Sequence, residues 1–149
     1  MSGRGRSLSD EDYERLAELR YGLRRFLSWS AEQAKHTGLT PTQHQLLLAV
    51  RAWRDERGPT VGDVAEILLI RHHSAVGLVD RAQESGLVVR ERDPDQQSVV
   101  RLRLTEHGAA KLASLSELHL RELAQLAPTM RAFWAAVGET EDLVFLRDR

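Results

Sequence analysis

The chain has 149 residues, 29% charged and 42% hydrophobic, with a formal net charge of −1 and no cysteine. That length suits one domain with its own core, and the missing cysteine excludes disulfides, thiolate metal sites and cysteine redox switches. No apolar run approaches the roughly 18 residues of a membrane span, and a near-neutral charge leaves any nucleic-acid surface to the arrangement of charges rather than their sum.

The opening segment, Met1-Ser-Gly-Arg-Gly-Arg-Ser7, is polar and lacks the apolar centre of a signal peptide. The expectation is a cytoplasmic protein with no membrane partner. A first helix is predicted from Ser9, where Ser9-Asp10-Glu11-Asp12 has the form of a capping box. Leu16, Leu19, Leu23, Phe26 and Ser30 follow at spacings of three and four along one face. Gly38 is its natural stop. Thr40-Pro41 restarts a helix with a cap residue and a proline at the first position. Leu46 to Val50 are apolar on most sides, so this is read as the central core helix. It ends in a charged exit and the breaker Gly58-Pro59.

Thr60 and Asp63 form a second capping-box pattern, with Val61, Val64, Ala65 and Leu68 inward. After a turn near 69–71 the next helix turns Ala75, Leu78, Val79 and Ala82 inward and closes at Gly86. Leu87–Arg92 and Val99–Leu104 are β-type runs around the turn segment Asp93-Pro94-Asp95-Gln96-Gln97-Ser98. Val100, Leu102 and Leu104 alternate with Arg101 and Arg103. A long helix is expected from Thr105 to Ala127, broken by Pro128. Met130, Phe133, Trp134 and Val137 would form a shorter helix, and 139–149 a last amphipathic turn or two.

Helix, turn, helix and two-stranded ribbon over 60–105 describe a winged helix-turn-helix, which places its second helix in the major groove. The predicted fold class is mainly α with a small β-hairpin wing, with dimerisation helices at 8–36 and 106–149. No nucleophile elbow, phosphate-cradling loop or helix-borne metal pair is present, so no enzyme, no cofactor and no metal are expected. His72 and His73 are adjacent and project about 100° apart on a helix, which suits DNA contact better than a shared metal. The other histidines are scattered.

From about Leu39 to Gly108 the sequence resembles the MarR family of bacterial transcriptional regulators. Leu39-Thr40-Pro41-Thr42-Gln43 is similar to the family's opening of its second helix. Thr60 to Glu66 resembles the first helix of the helix-turn-helix, and Leu78-Val79-Asp80-Arg81 with Gly86-Leu87-Val88 the recognition helix and its exit. Arg92-Asp93-Pro94 and Leu104-Thr105-Glu106-His107-Gly108 resemble the wing tip and the start of the long helix. Each piece is common, while their order and spacing together are specific.

The resemblance implies a homodimer on double-stranded DNA, its two winged domains about one helical turn apart on a pseudopalindrome. It also implies a small-molecule effector in a crevice, for which Trp29 and His44 are the candidates. Ser74, His73 and His72 are expected to face the major groove, with Arg81 on phosphate or wing. Arg71, Arg90, Arg92, Arg101 and Arg103 are expected to hold the backbone.

The wing tip departs from the pattern. Gln96 and Ser98 stand where the family carries an Asp and a minor-groove Arg. Gly77 stands where a long polar residue is common, and two readings stay open: close approach to DNA, or a surface position under little constraint. The expected function is a ligand-responsive repressor. The alternative is a winged-helix protein-interaction module with weak or lost DNA binding.

Overall fold

Threonine and serine caps fix most of the helix starts. A computed structural model describes residues 8–137. Ser9 accepts from the Asp12 amide at 3.3 Å while its own amide donates to the Asp12 carboxylate at 2.9 Å, opening α1 (Asp10–His36). Thr40 and Gln43 make the same reciprocal pair before α2 (Pro41–Ala52), and Thr60 and Asp63 before α3 (Val61–Leu68). Each such cap is worth about 1 kcal/mol. The turn after α3 rests on Leu69, at φ 55 and ψ 40. Then come α4 (His72–Glu84), β1 (Val88–Arg92), β2 (Val100–Leu104) and α5 (Glu106–Val137), the last capped by the Thr105 hydroxyl, which accepts from the Gly108 amide at 2.9 Å.

The two strands pair antiparallel, Val88 opposite Leu104 and Arg92 opposite Val100, which makes the hairpin wing. The Leu102 amide donates to the Pro59 carbonyl at 2.8 Å, so the loop before α3 lies along the free edge of β2. Two glycines permit the closest approaches. A Cβ at Gly58, where φ is +84, would sit 2.2 Å from the Leu102 carbonyl oxygen, and one at Gly108 would sit 2.1 Å from that of Leu87. Either clash would force backbone apart.

The chain divides into two compact units, residues 29–119 and residues 1–28 with 120–149. The first holds the buried core, with Leu46, Leu47, Val64, Val79, Leu87, Leu102 and Leu115 fully covered. These come from α2, α3, α4, the hairpin and the first half of α5, so all of these elements hang on one apolar centre. In the second, the first part of α1 and the last part of α5 line an apolar groove of about 350 Å³, with Leu19, Leu23, Phe26, Leu126, Met130 and Phe133 among its walls.

The fold class is as the sequence indicated, mainly α with a two-stranded wing. One boundary is corrected. Pro128 does not break the long helix: α5 runs through it to Val137, carrying Met130, Phe133 and Trp134. Proline there removes one backbone bond. Leu126 precedes it, and Met130 and Phe133 follow it, on the walls of one groove, and shared packing holds the helix across the gap. The turns expected at 139–149 lie outside the described residues. No helix among the described residues is long and apolar enough to cross a membrane.

Candidate nucleic-acid interface

α4 separates two jobs by face. Ala75, Leu78, Val79 and Ala82 are buried, while Arg71, His72, His73 and Ser74 are exposed. No side chain caps α4: Arg71 at its N-cap makes no capping bond. Amides of its first turn are therefore open to an acceptor, and a helix N-terminus favours an anion such as phosphate. Arg71, His72 and His73 are in no side-chain hydrogen bond or ion pair among the described residues. The three positions expected to face the major groove and Arg71, expected on the backbone, thus form one contiguous exposed run.

Gly77 follows on the same helix. A Cβ there would stand 3.3 Å from an Arg81 guanidinium nitrogen, so the missing side chain lets Arg81 lie back along the helix. Neither of the two readings weighed from sequence included this role.

The ribbon arginines divide. Arg90 donates to the Asp80 carboxylate at 2.6 Å and to the Gln83 side chain at 3.2 Å, tying β1 to α4. Arg101 donates through Nε to Asp93 at 2.9 Å and through Nη1 to the Gly58 carbonyl at 3.3 Å, and its side chain is only 16% exposed. Arg103 donates to the Glu56 carbonyl at 3.3 Å and pairs with Glu91 at 3.5 Å. Among the described residues Arg92 reaches only the Gln97 carbonyl, at 3.0 Å, and it stays exposed at the base of the tip. Alternation along β2 put Arg101 outward. In the structure its guanidinium is turned back onto the chain.

The partner of Arg101 escaped the sequence reading. Asp93 is buried at the root of the wing turn. One of its oxygens accepts from the amides of Asp95 and Gln96 at 2.9 and 3.2 Å, and the other takes Arg101. Arg57, from the loop before α3, approaches that second oxygen at 3.7 Å. The Asp95 amide and the Arg101 guanidinium hold the Asp93 carboxyl below its ordinary pKa. Arg57 also grips Asp55, and that bond lowers the Asp55 pKa to about 2. The wing tip is thereby fastened to the loop that leads into α3.

A separate polar cluster lies within the 29–119 unit. Trp29 and His44, expected at a ligand crevice, both meet His119, with ring centroids 4.9 and 4.8 Å from it. His119 Nδ1 donates to the Leu115 carbonyl at 2.7 Å, and its Nε2 is hydrogen-bonded with the Ser30 hydroxyl at 2.6 Å. His44 is buried, and that desolvation, followed by the repulsion of His119, lowers its pKa. Ser30 was legible in the sequence only as part of the α1 face and His119 only as one of the scattered histidines, since a contact between residues 89 apart leaves no local signal. No three His, Asp or Glu side chains among the described residues are grouped to hold a metal ion.

Residues 37–97 match the MarR family model. No curated protein matches the chain in sequence. Among solved structures, a MarR family protein from Bacillus stearothermophilus shares 25% identity over 89% of this chain and 95% of its own, with a TM-score of 0.72. The transcriptional repressor CouR, bound to a 23-mer DNA duplex, shares 26% identity over 89% of this chain and 97% of its own, with a TM-score of 0.66. Wild-type MarR in its apo form from E. coli, 19% identical over 81% of this chain and 94% of its own, has the same fold with a TM-score of 0.65. The matched segment takes in α2, α3, α4 and β1, and along nearly the whole chain the protein shares the winged-helix fold of the MarR family regulators it resembles.

Proposed function

We propose that the chain is a transcriptional repressor that binds a pseudopalindromic operator as a homodimer and is released by a small-molecule effector. The observation that carries the DNA-binding part is the exposed run Arg71, His72, His73 and Ser74 at the uncapped start of α4. Those side chains have hydrogen-bonding capacity and no use for it inside the described chain. The repressor CouR, bound to DNA in its structure, supports the same reading by likeness. Base contacts fall to His72, His73 and Ser74. Backbone contacts fall to Arg71, Arg81 and Arg92, while Arg90, Arg101 and Arg103 act mainly by holding the wing in place.

The dimer reading draws on the groove of the second unit and the apolar side chains around it. Leu16, Leu23 and Leu27 on α1 and Leu120, Leu123 and Trp134 on α5 are all exposed, more apolar surface than a monomer ordinarily shows. The effector reading draws on Trp29, His44 and His119, a buried aromatic cluster with polar atoms.

A gel shift with the promoter fragment beside the protein's own gene tests this. The expected result is a shift that random duplex does not compete away at moderate salt. If random duplex competes equally, the protein-interaction module becomes the better reading. The uncharged wing tip at Gln96 and Ser98 and the internally tied Arg101 and Arg103 are what favour that second reading.

A further inference from the structure

Leu69 is conspicuous on two counts. Its side chain is 88% exposed, the most exposed large apolar group among the described residues. Its backbone also sits at φ 55, the only positive φ of a non-glycine residue among them. A Cβ in that left-handed region crowds the following carbonyl, and glycine or asparagine makes the same helix cap without the crowding. The cap itself is a backbone matter, with the Leu69 amide donating to the Ala65 and Glu66 carbonyls. The isobutyl group therefore serves neither the core nor the turn. Strain kept in place without an internal use points to a use outside the molecule.

Its place says where. Leu69 lies two residues before Arg71, at the near edge of the exposed run that opens α4. Ile67, also exposed, precedes it. A polar side chain here would meet phosphate. An apolar one meets the one apolar group of the major-groove edge, the C5-methyl of thymine. Resting on the DNA-binding reading above, we propose that Leu69 is a specificity residue whose side chain packs on a thymine methyl at the margin of each half-site.

The test uses the full-length chain and a duplex that it enriches from a random pool. Each thymine is replaced in turn by deoxyuridine, which removes the methyl alone. The wild type should lose about three- to tenfold in affinity at one position in each half-site, the range expected for removing one buried methyl group. Leu69→Gly and Leu69→Asn both suit the left-handed cap, so they should melt no lower than the wild type. They should bind the thymine duplex about three- to tenfold more weakly and be indifferent to deoxyuridine at that position. Wild-type affinity in both variants would overturn the proposal. So would a loss that is the same for thymine and deoxyuridine at every position, which would put Leu69 on sugar and phosphate. If the chain enriches no sequence, the DNA-binding reading has failed and the role of Leu69 falls with it. If it enriches one that tolerates every deoxyuridine, only the role of Leu69 falls.

Discussion

His44 carries a consequence of its own. A neutral imidazole packed against a second ring loses solvation, and the neighbouring His119 further disfavours a proton on it. The folded pKa is thus below the ordinary value of 6.5, while the unfolded chain takes up the proton near that value. Above it both states are neutral and the site is indifferent to pH. As pH falls through 6.5 towards the folded pKa, the unfolded state binds more protons and stability is lost. Thermal melting between pH 7.5 and about 5 should therefore show a steeper fall for the wild type than for His44→Gln. Parallel curves would show that His44 does not titrate differently on folding. Sequence could nominate Trp29 and His44 from their positions on the first two helices. It could not nominate His119 as the residue both meet, because the turn of α5 on which it lies is fixed by packing from Leu112 and Leu115.

Among the elements, the wing shows how a charge pattern read alone leaves two roles open. Two arginines alternating with leucines on β2 look like a phosphate-facing edge. Asp93 at the root of the turn and the loop carbonyls of Gly58 and Glu56 bond them within the chain. The salt dependence of DNA binding separates the roles. Arg92→Gln should lower the slope of log K against log salt by about 0.9 for each phosphate no longer neutralised, so about 2 for a dimer. Arg101→Gln should leave that slope near the wild-type value and weaken binding by loosening the wing, with Asp93→Asn behaving like it. Equal slope changes in Arg92→Gln and Arg101→Gln would return Arg101 to the phosphate. The helices were legible because their caps are written locally, Thr40 with Gln43 and Thr60 with Asp63. Pro128 misled for the opposite reason: local propensity says stop, and the packing of Met130 and Phe133 against distant residues decides otherwise.

At the level of the whole molecule, association is the first thing to measure. The groove between the start of α1 and the end of α5 is lined by leucine and aromatic side chains, and Leu23 is both on its wall and substantially exposed. Sedimentation of the wild type should give twice the chain mass of 16.9 kDa. Leu23→Glu sets a charge into that apolar wall. It should shift the population to the single-chain mass and weaken operator binding, with little change in the melting of the 29–119 core. A wild type that sediments as a single chain would remove the basis for two-site recognition.

The division of α4 into a buried and an exposed face also bears on descent. The side chains that hold it in place, Ala75, Leu78, Val79 and Ala82, are not the exposed ones, Arg71, His72, His73 and Ser74, that the proposed function assigns to a duplex. A lineage can therefore exchange what this helix reads, one exposed residue at a time, without reopening how the domain folds. New operators come within reach of ordinary point mutation, while the scaffold stays as it is.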